Sequence, residues 1–190
     1  MGRPGVLMTD NFRTGHPEAG EYAPYAEKYI SLIPEQDVIT KLEQQRRDMV
    51  LLLSGRNEQD GDFRYADDKW SVKQVLGHIN DTERIFAYRA MRIARGDKTP
   101  LAGFEQDDYV REGGFQLRSL SDLTEDFIAV RRATVSLFRN LPEAAWMRRG
   151  ITNNHEFTVR ALLYLTAGHE LHHSKILRER YFAVSELSSK

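Results

Sequence analysis

At 190 residues the chain has the length of a single domain, with enough interior to fold without covalent staples. It contains no cysteine, which excludes disulfides, thiolate metal sites and a cysteine nucleophile. A net charge of −1 leaves no global field for nucleic acid or an anionic membrane, and no apolar run approaches the roughly 20 residues of a membrane-spanning helix.

The N-terminal stretch MGRPGVLMTDNFRTGHPEAG lacks an apolar h-region and reads as a polar, flexible arm over residues 1–21 rather than a signal peptide, with Met8 as an alternative start. The expected location is the cytoplasm. A single four-helix domain is expected over residues 22–185.

The first helix is predicted from about Pro34 to Ser54. Proline is tolerated in a first helical turn, and Gly55 suits the position just past a helix end. Val38, Leu42, Gln45, Met49 and Leu52 are spaced alternately by four and three, which lines them along one stripe. The second helix is predicted from Ser71 to Arg95: Ser71 and Gln74 form a capping-box pattern, and Gly96 ends the run. Its stripe is Val75, His78, Thr82, Ile85 and Arg89, with Val72, Ile79, Phe86, Ala90 and Ile93 beside it.

A long connection from Gly96 to Leu120 follows, containing PLAGFEQDDYVREGGF. A segment of that length is functional or a crossover more often than a hairpin. The third helix is predicted from Asp122 to Asn140 with Ser121 as N-cap, its stripe formed by Leu123, Phe127, Val130, Thr134 and Leu137. The turn PEAAW then packs Trp146 under the bundle. The fourth helix is predicted from Val159 to Phe182, capped by Thr158, with Val159, Leu162, Thr166, His169, His173, Ile176 and Arg180 on one line. No alternating run bounded by hairpin turns predicts a strand. The pattern is all-α, and a four-helix bundle with a long crossover between helices 2 and 3 buries all four stripes.

His169 and His173 occupy successive core-facing positions of an otherwise apolar seam. Helical residues four apart can point two imidazoles at one ion, and His78 is the best candidate for a third ligand. The plain alternative is a set of hydrogen-bonded core histidines. His172 is either a flanking residue or a substitute for His173, while His155 and His16 read as surface residues. HELHH also satisfies the HExxH pattern of zinc proteases with Glu170 as base, but no sheet accompanies it to align a peptide.

The stretches KWSVKQVLGHINDTERIFAYRAMRIARGDKTPLAGFEQDDYV and VRALLYLTAGHELHHSKILRERY, with YAPYAEKYISLIPEQD before them, resemble the DinB/YfiT-like superfamily over about residues 22–182. The resemblance implies a four-helix bundle of DinB/YfiT type and one divalent metal ion per chain, zinc or nickel, held by His78, His169 and His173. It also implies a homodimer. It leaves the reaction open between a metal-dependent hydrolase of a small molecule and a thiol S-transferase using a low-molecular-weight thiol. A metal-binding stress-response protein without catalysis and a helical interaction module are the bland readings.

A neutral three-histidine set leaves a dication's charge uncompensated, which favours either an activated water or an external thiolate. Glu170, Asp81 and Glu83 are candidates to orient an imidazole or to act as acid or base. Arg89 and Arg180 are candidates for binding a carboxylate or phosphate on a substrate, and Tyr109 with Asp108 for lining the site mouth. Trp70 reads as a packing anchor.

Overall fold

The computed structural model of the chain describes residues 15–34 and 36–183. Residues 1–14 of the expected arm, and residues 184 and 185 at the expected domain end, lie outside them; the end of that arm is not free of the domain, because Glu21 is buried and pairs with Arg160.

Local sequence sets the helix starts. After the short α1 (Glu27–Ile30), helix α2 (Val38–Leu53) opens at Asp37, whose side chain accepts from the Thr40 amide. Helix α3 (Glu58–Asp62) is a single capped turn held by Asn57. Helix α4 (Val72–Ala94) begins with the expected capping box: Ser71 accepts from the Gln74 amide and the Gln74 side chain accepts from the Ser71 amide. Gly55 and Gly96, just past the ends of α2 and α4, both have positive φ, as a helix-terminating glycine requires.

The crossover is not featureless. It carries helix α5 (Gln106–Glu112) and a 3₁₀ turn at Phe115–Leu117. Helix α6 (Leu120–Arg139) starts earlier than expected. The cap is Ser119, not Ser121, because it is the Ser119 hydroxyl that accepts from the Asp122 amide, at 3.0 Å. Trp146 is fully buried beyond a 3₁₀ turn, stacked on Phe138.

A second correction concerns strands. β1 (Arg149–Thr152) and β2 (His155–Thr158) form an antiparallel hairpin pairing Thr152 with His155 and Arg149 with Thr158. Its two loop residues, Asn153 and Asn154, have φ of 48° and 63°. Two left-handed residues in succession make the tight hairpin turn whose twist matches paired strands, and asparagine tolerates it. The crossover fastens to this hairpin: the Leu101 amide donates to Ile151 and the Asn153 amide donates to Leu101, each at 2.9 Å.

Helix α7 (Val159–Ile176) is capped by Thr158 and runs on as a π-helical turn, Leu177–Phe182. No helix of the described residues is long and apolar enough to cross a membrane.

The four long helices α2, α4, α6 and α7 share two apolar clusters. One gathers Phe86, Ala90 and Ile93 of α4 with Val159, Leu162, Leu163 and Leu165 of α7, Phe138 and Trp146. The other gathers Val72, Val75, Leu76 and Ile79 of α4 with Leu123, Phe127, Leu177 and Tyr181. His78 and Thr82 on α4, and His169 and His173 on α7, lie in the interval between them.

Close beside that interval a buried polar chain ties the four helices together. Arg131 of α6, fully buried, makes a two-pronged pair with Glu83 of α4 (2.8 Å at each nearest approach) and donates to Leu42 O and Gln45 Oε1 of α2. Gln45 in turn donates to Ala167 O of α7 at 2.8 Å. This explains why a glutamine stands in the apolar stripe of α2.

Candidate metal centre

His78 and His169 come from α4 and α7, and both are buried; His173 is half-buried. The Nε2 atoms of His78 and His169 are 3.0 Å apart, and each of the three residues offers a ring nitrogen within 4.8 Å of the others. The three ring centroids are 4.5 to 4.9 Å from one another. Burial pushes His78 down to about 4, and it pushes His169 and His173 well below the ordinary histidine range, with the neighbouring imidazoles adding to the effect. All three rings are therefore neutral at physiological pH, the form that carries a lone pair for a metal. Three neutral nitrogen donors converging on one point fit a divalent ion with coordination positions left open.

Each of the two buried histidines follows a glycine, and both glycines are required by packing. A Cβ at Gly168 would run into the Tyr29 carbonyl, and one at Gly77 would run into the Phe115 ring. Bare backbone at these two positions lets α1 and the crossover close on the helices beside the cluster.

Thr82, one turn beyond His78, places Oγ1 3.4 Å from its Nδ1. In the tautomer with its proton on Nδ1, which Thr82 can accept, His78 turns its Nε2 lone pair toward His169. The Trp70 ring lies 4.9 Å from the His78 ring, so this packing anchor also forms part of the wall around the cluster. Tyr29 and Phe86 meet His169 edge-on.

The cluster opens into a pocket of about 240 Å³. His78, Thr82, Phe86 and Arg89 line it from α4, and His169 from α7. The remaining wall is made by Tyr25, Lys28 and Tyr29 near α1, by Phe104–Gln106 of the crossover, and by Asn153 of the hairpin turn. Sequence reasoning missed this wall. Its residues sit in a short helix, a loop and an undetected turn, where no periodicity announces a shared face.

The other expected site residues divide clearly. Arg89 lines the pocket. Tyr109 does not, but meets the Phe104 ring at a tilt, 5.0 Å between centroids, and lines an adjoining groove together with Arg89. Arg180 is exposed and away from the pocket, because the π-helical turn after Ile176 breaks the register that would have kept it in line with His173. Asp108 pairs with Arg111 on the surface.

Asp81 bonds Arg84, within a network reaching Asp126, and touches none of the histidines. Burial raises its pKa, and Asp126 does so to a lesser extent. Glu83 is committed to Arg131. Glu170 is buried on the same side, where burial and, less strongly, Glu83 push it up to about 7 against the pull of Arg131, and its Oε2 accepts no hydrogen bond. None of these carboxylates lines the pocket. His172 packs on Tyr29 and the His173 ring outside the cluster, His155 is exposed against Tyr25, and His16 meets the Tyr164 ring.

Fold and site together define a helical bundle with three histidines from two helices able to hold one metal ion. The chain belongs to the DinB superfamily, whose family model matches residues 41–177. Among solved structures it is similar to YfiT from Bacillus subtilis, described as a probable metal-dependent hydrolase with an unusual four-helix bundle topology. That likeness has a TM-score of 0.68 at 18% identity and covers 88% of this chain and 97% of that one. No curated protein matches the chain.

Proposed function

We propose that the protein is a metal-dependent hydrolase of a small molecule, with His78, His169 and His173 holding one zinc or nickel ion. The observation that carries this reading is the convergence of three neutral imidazoles, two of which, His78 and His169, line a pocket. A dication held only by neutral ligands keeps its charge and, when bound, lowers the pKa of a water or thiol beside it. The chain's own residues supply the rest. Thr82 orients His78, Trp70 and Phe86 exclude water from the cluster's flanks, and Arg89 places positive charge on the pocket wall. The pocket is somewhat smaller than the ~300–1,000 Å³ usual for drug-sized ligands, which favours a small substrate. Within this reading, residues 22–185 act as one domain in the cytoplasm, as a homodimer and without nucleic acid.

One observation favours thiol transfer as the second reading. Glu105 is the one carboxylate in the described lining, and it is exposed, while Glu170 and Asp81 stand elsewhere. Hydrolysis usually recruits a positioned acid or base, whereas transfer from an external thiol needs chiefly a stabilised thiolate. Both readings are tested by loading the protein with zinc or nickel and assaying aryl esters, amides and electrophilic thiol acceptors, with and without added thiols. Turnover that disappears on chelation, and in His78→Ala with the fold intact, supports metal-dependent catalysis; its dependence on thiol separates the two. A metal-loaded protein inert under every condition contradicts both.

A further inference from the structure

Among the described residues, the buried cations follow a rule with one exception. Arg131 pairs with Glu83, Arg160 with Glu21, and Lys73 with both Glu58 and Asp62 at 2.8 Å. Arg89 is buried to a similar degree, at 4% exposed, yet no carboxylate pairs with it among the described residues. Its Nη2 donates to Ala102 O at 2.7 Å, and the guanidinium carbon lies 5.9 Å from the centre of the Phe104 ring. A carbonyl dipole and a ring face offset only part of the cost of burying a full charge. Burial holds the Arg89 pKa below its ordinary value, with the Tyr25 and Tyr109 hydroxyls pulling weakly the other way.

The exception falls in the functional pocket. Arg89 shares the lining with His78 and His169, and Lys28 adds a second, exposed cation on which no carboxylate sits among the described residues. Along α4 the lining residues His78, Thr82, Phe86 and Arg89 step by four, four and three, so they form one trough. Eleven residues at ~1.5 Å each put the two ends about 16 Å apart along the axis. Side chains of an α-helix lean toward its N-terminus, and from Arg89 that is the direction of His78 along α4.

We infer that the substrate carries a carboxylate at the end remote from the reacting bond, and that Arg89 is the specificity-determining residue that receives it while the reacting group sits at the histidines. This rests on the metal-dependent reading above. The planar fork of a guanidinium matches a carboxylate, and a single buried positive charge is balanced by a single negative one. A dianionic phosphate would find one buried donor group where it calls for more.

The test is calorimetric titration of the zinc-loaded protein with α,ω-dicarboxylates from succinate to suberate, beside monocarboxylates of equal length and ω-phosphonocarboxylates. One carboxylate meets the metal end of the trough and the other meets Arg89. The expected result is a chain-length optimum at which the dicarboxylate binds at least about tenfold tighter than its monocarboxylate partner. In Arg89→Gln that preference disappears, and in Arg89→Lys, which keeps the charge but not the fork, it falls part-way. The wild-type length series stands even where a variant folds poorly.

Metal-stripped protein separates the two claims. Monocarboxylate binding that persists without metal and is lost in Arg89→Gln supports the Arg89 assignment whatever becomes of the metal reading. Zinc-loaded wild type that binds mono- and dicarboxylates equally at every length overturns the inference while leaving the metal centre standing. Phosphonates binding tighter than carboxylates overturn the choice of anion.

Discussion

The Nε2 atoms of His78 and His169 lie 3.0 Å apart although 91 residues separate them in the chain. Two helices achieve this because each has an apolar stripe interrupted at the same height, between the two apolar clusters of the core. Hydrophobic packing above and below fixes the register of α4 against α7, and the register brings the imidazoles together.

The glycines before these histidines give a first prediction. Gly168→Ala sets a methyl group against the Tyr29 backbone, which cannot rotate away, whereas Gly77→Ala presses on the Phe115 ring, which can. Both variants lose stability, by about 1–3 kcal/mol as overpacking does, with Gly168→Ala the worse. Urea denaturation of the two proteins compares them, and equal stability to wild type would mean that α1 does not seat on α7 as described.

The buried pair Arg131–Glu83 gives a second. Arg131→Met leaves Glu83 buried without a counter-charge and should cost about 3–5 kcal/mol. The double change Arg131→Met with Glu83→Leu should recover a large share of that loss. A double-mutant cycle measures the coupling, and a double variant no better than the single would show that the pair itself is not the source.

Acid stability gives a third. Burial by itself would raise Glu21, but hydrogen bonds from Arg160, the Glu18 amide and Thr158 outweigh it and hold its carboxyl below the ordinary 4.5. A carboxylate depressed in the folded state contributes its full stability above the ordinary value. That contribution is lost as the pH falls below 4.5 and through the folded pKa. Wild type should therefore exceed Glu21→Gln in stability at pH 7 by a margin that shrinks steadily below about pH 4.5. Denaturation curves across that range check the sign, and a margin that grows on acidification would refute it.

Much of this architecture is written in the sequence. The stripes of α2, α4, α6 and α7 were readable because helical periodicity reports a buried face, and His78, His169 and His173 stood out as polar residues at core positions. The Ser71 cap and the glycines at 55 and 96 carried equally local signals. The hairpin escaped because its strands are four residues long and its turn is Asn-Asn rather than a glycine pair. Arg180 was misplaced because a periodic rule assumes an unbroken α-helix, and the π-helical turn changes the angle per residue. Gln45 was read as a stripe position from its spacing, but its partner, Ala167 O on α7, is a tertiary contact that spacing does not announce. The pocket wall of Tyr25, Phe104 and Asn153 is a product of tertiary folding, assembled from segments that share no local pattern.

The most direct test of the account is the metal content of protein purified without chelators. The expected result is about one divalent ion per chain in wild type and in His172→Ala, and almost none in His78→Ala, His169→Ala or His173→Ala while each retains its helical spectrum. Less than about 0.1 ion per wild-type chain after incubation with zinc or nickel, or full occupancy surviving the loss of His169, would contradict it.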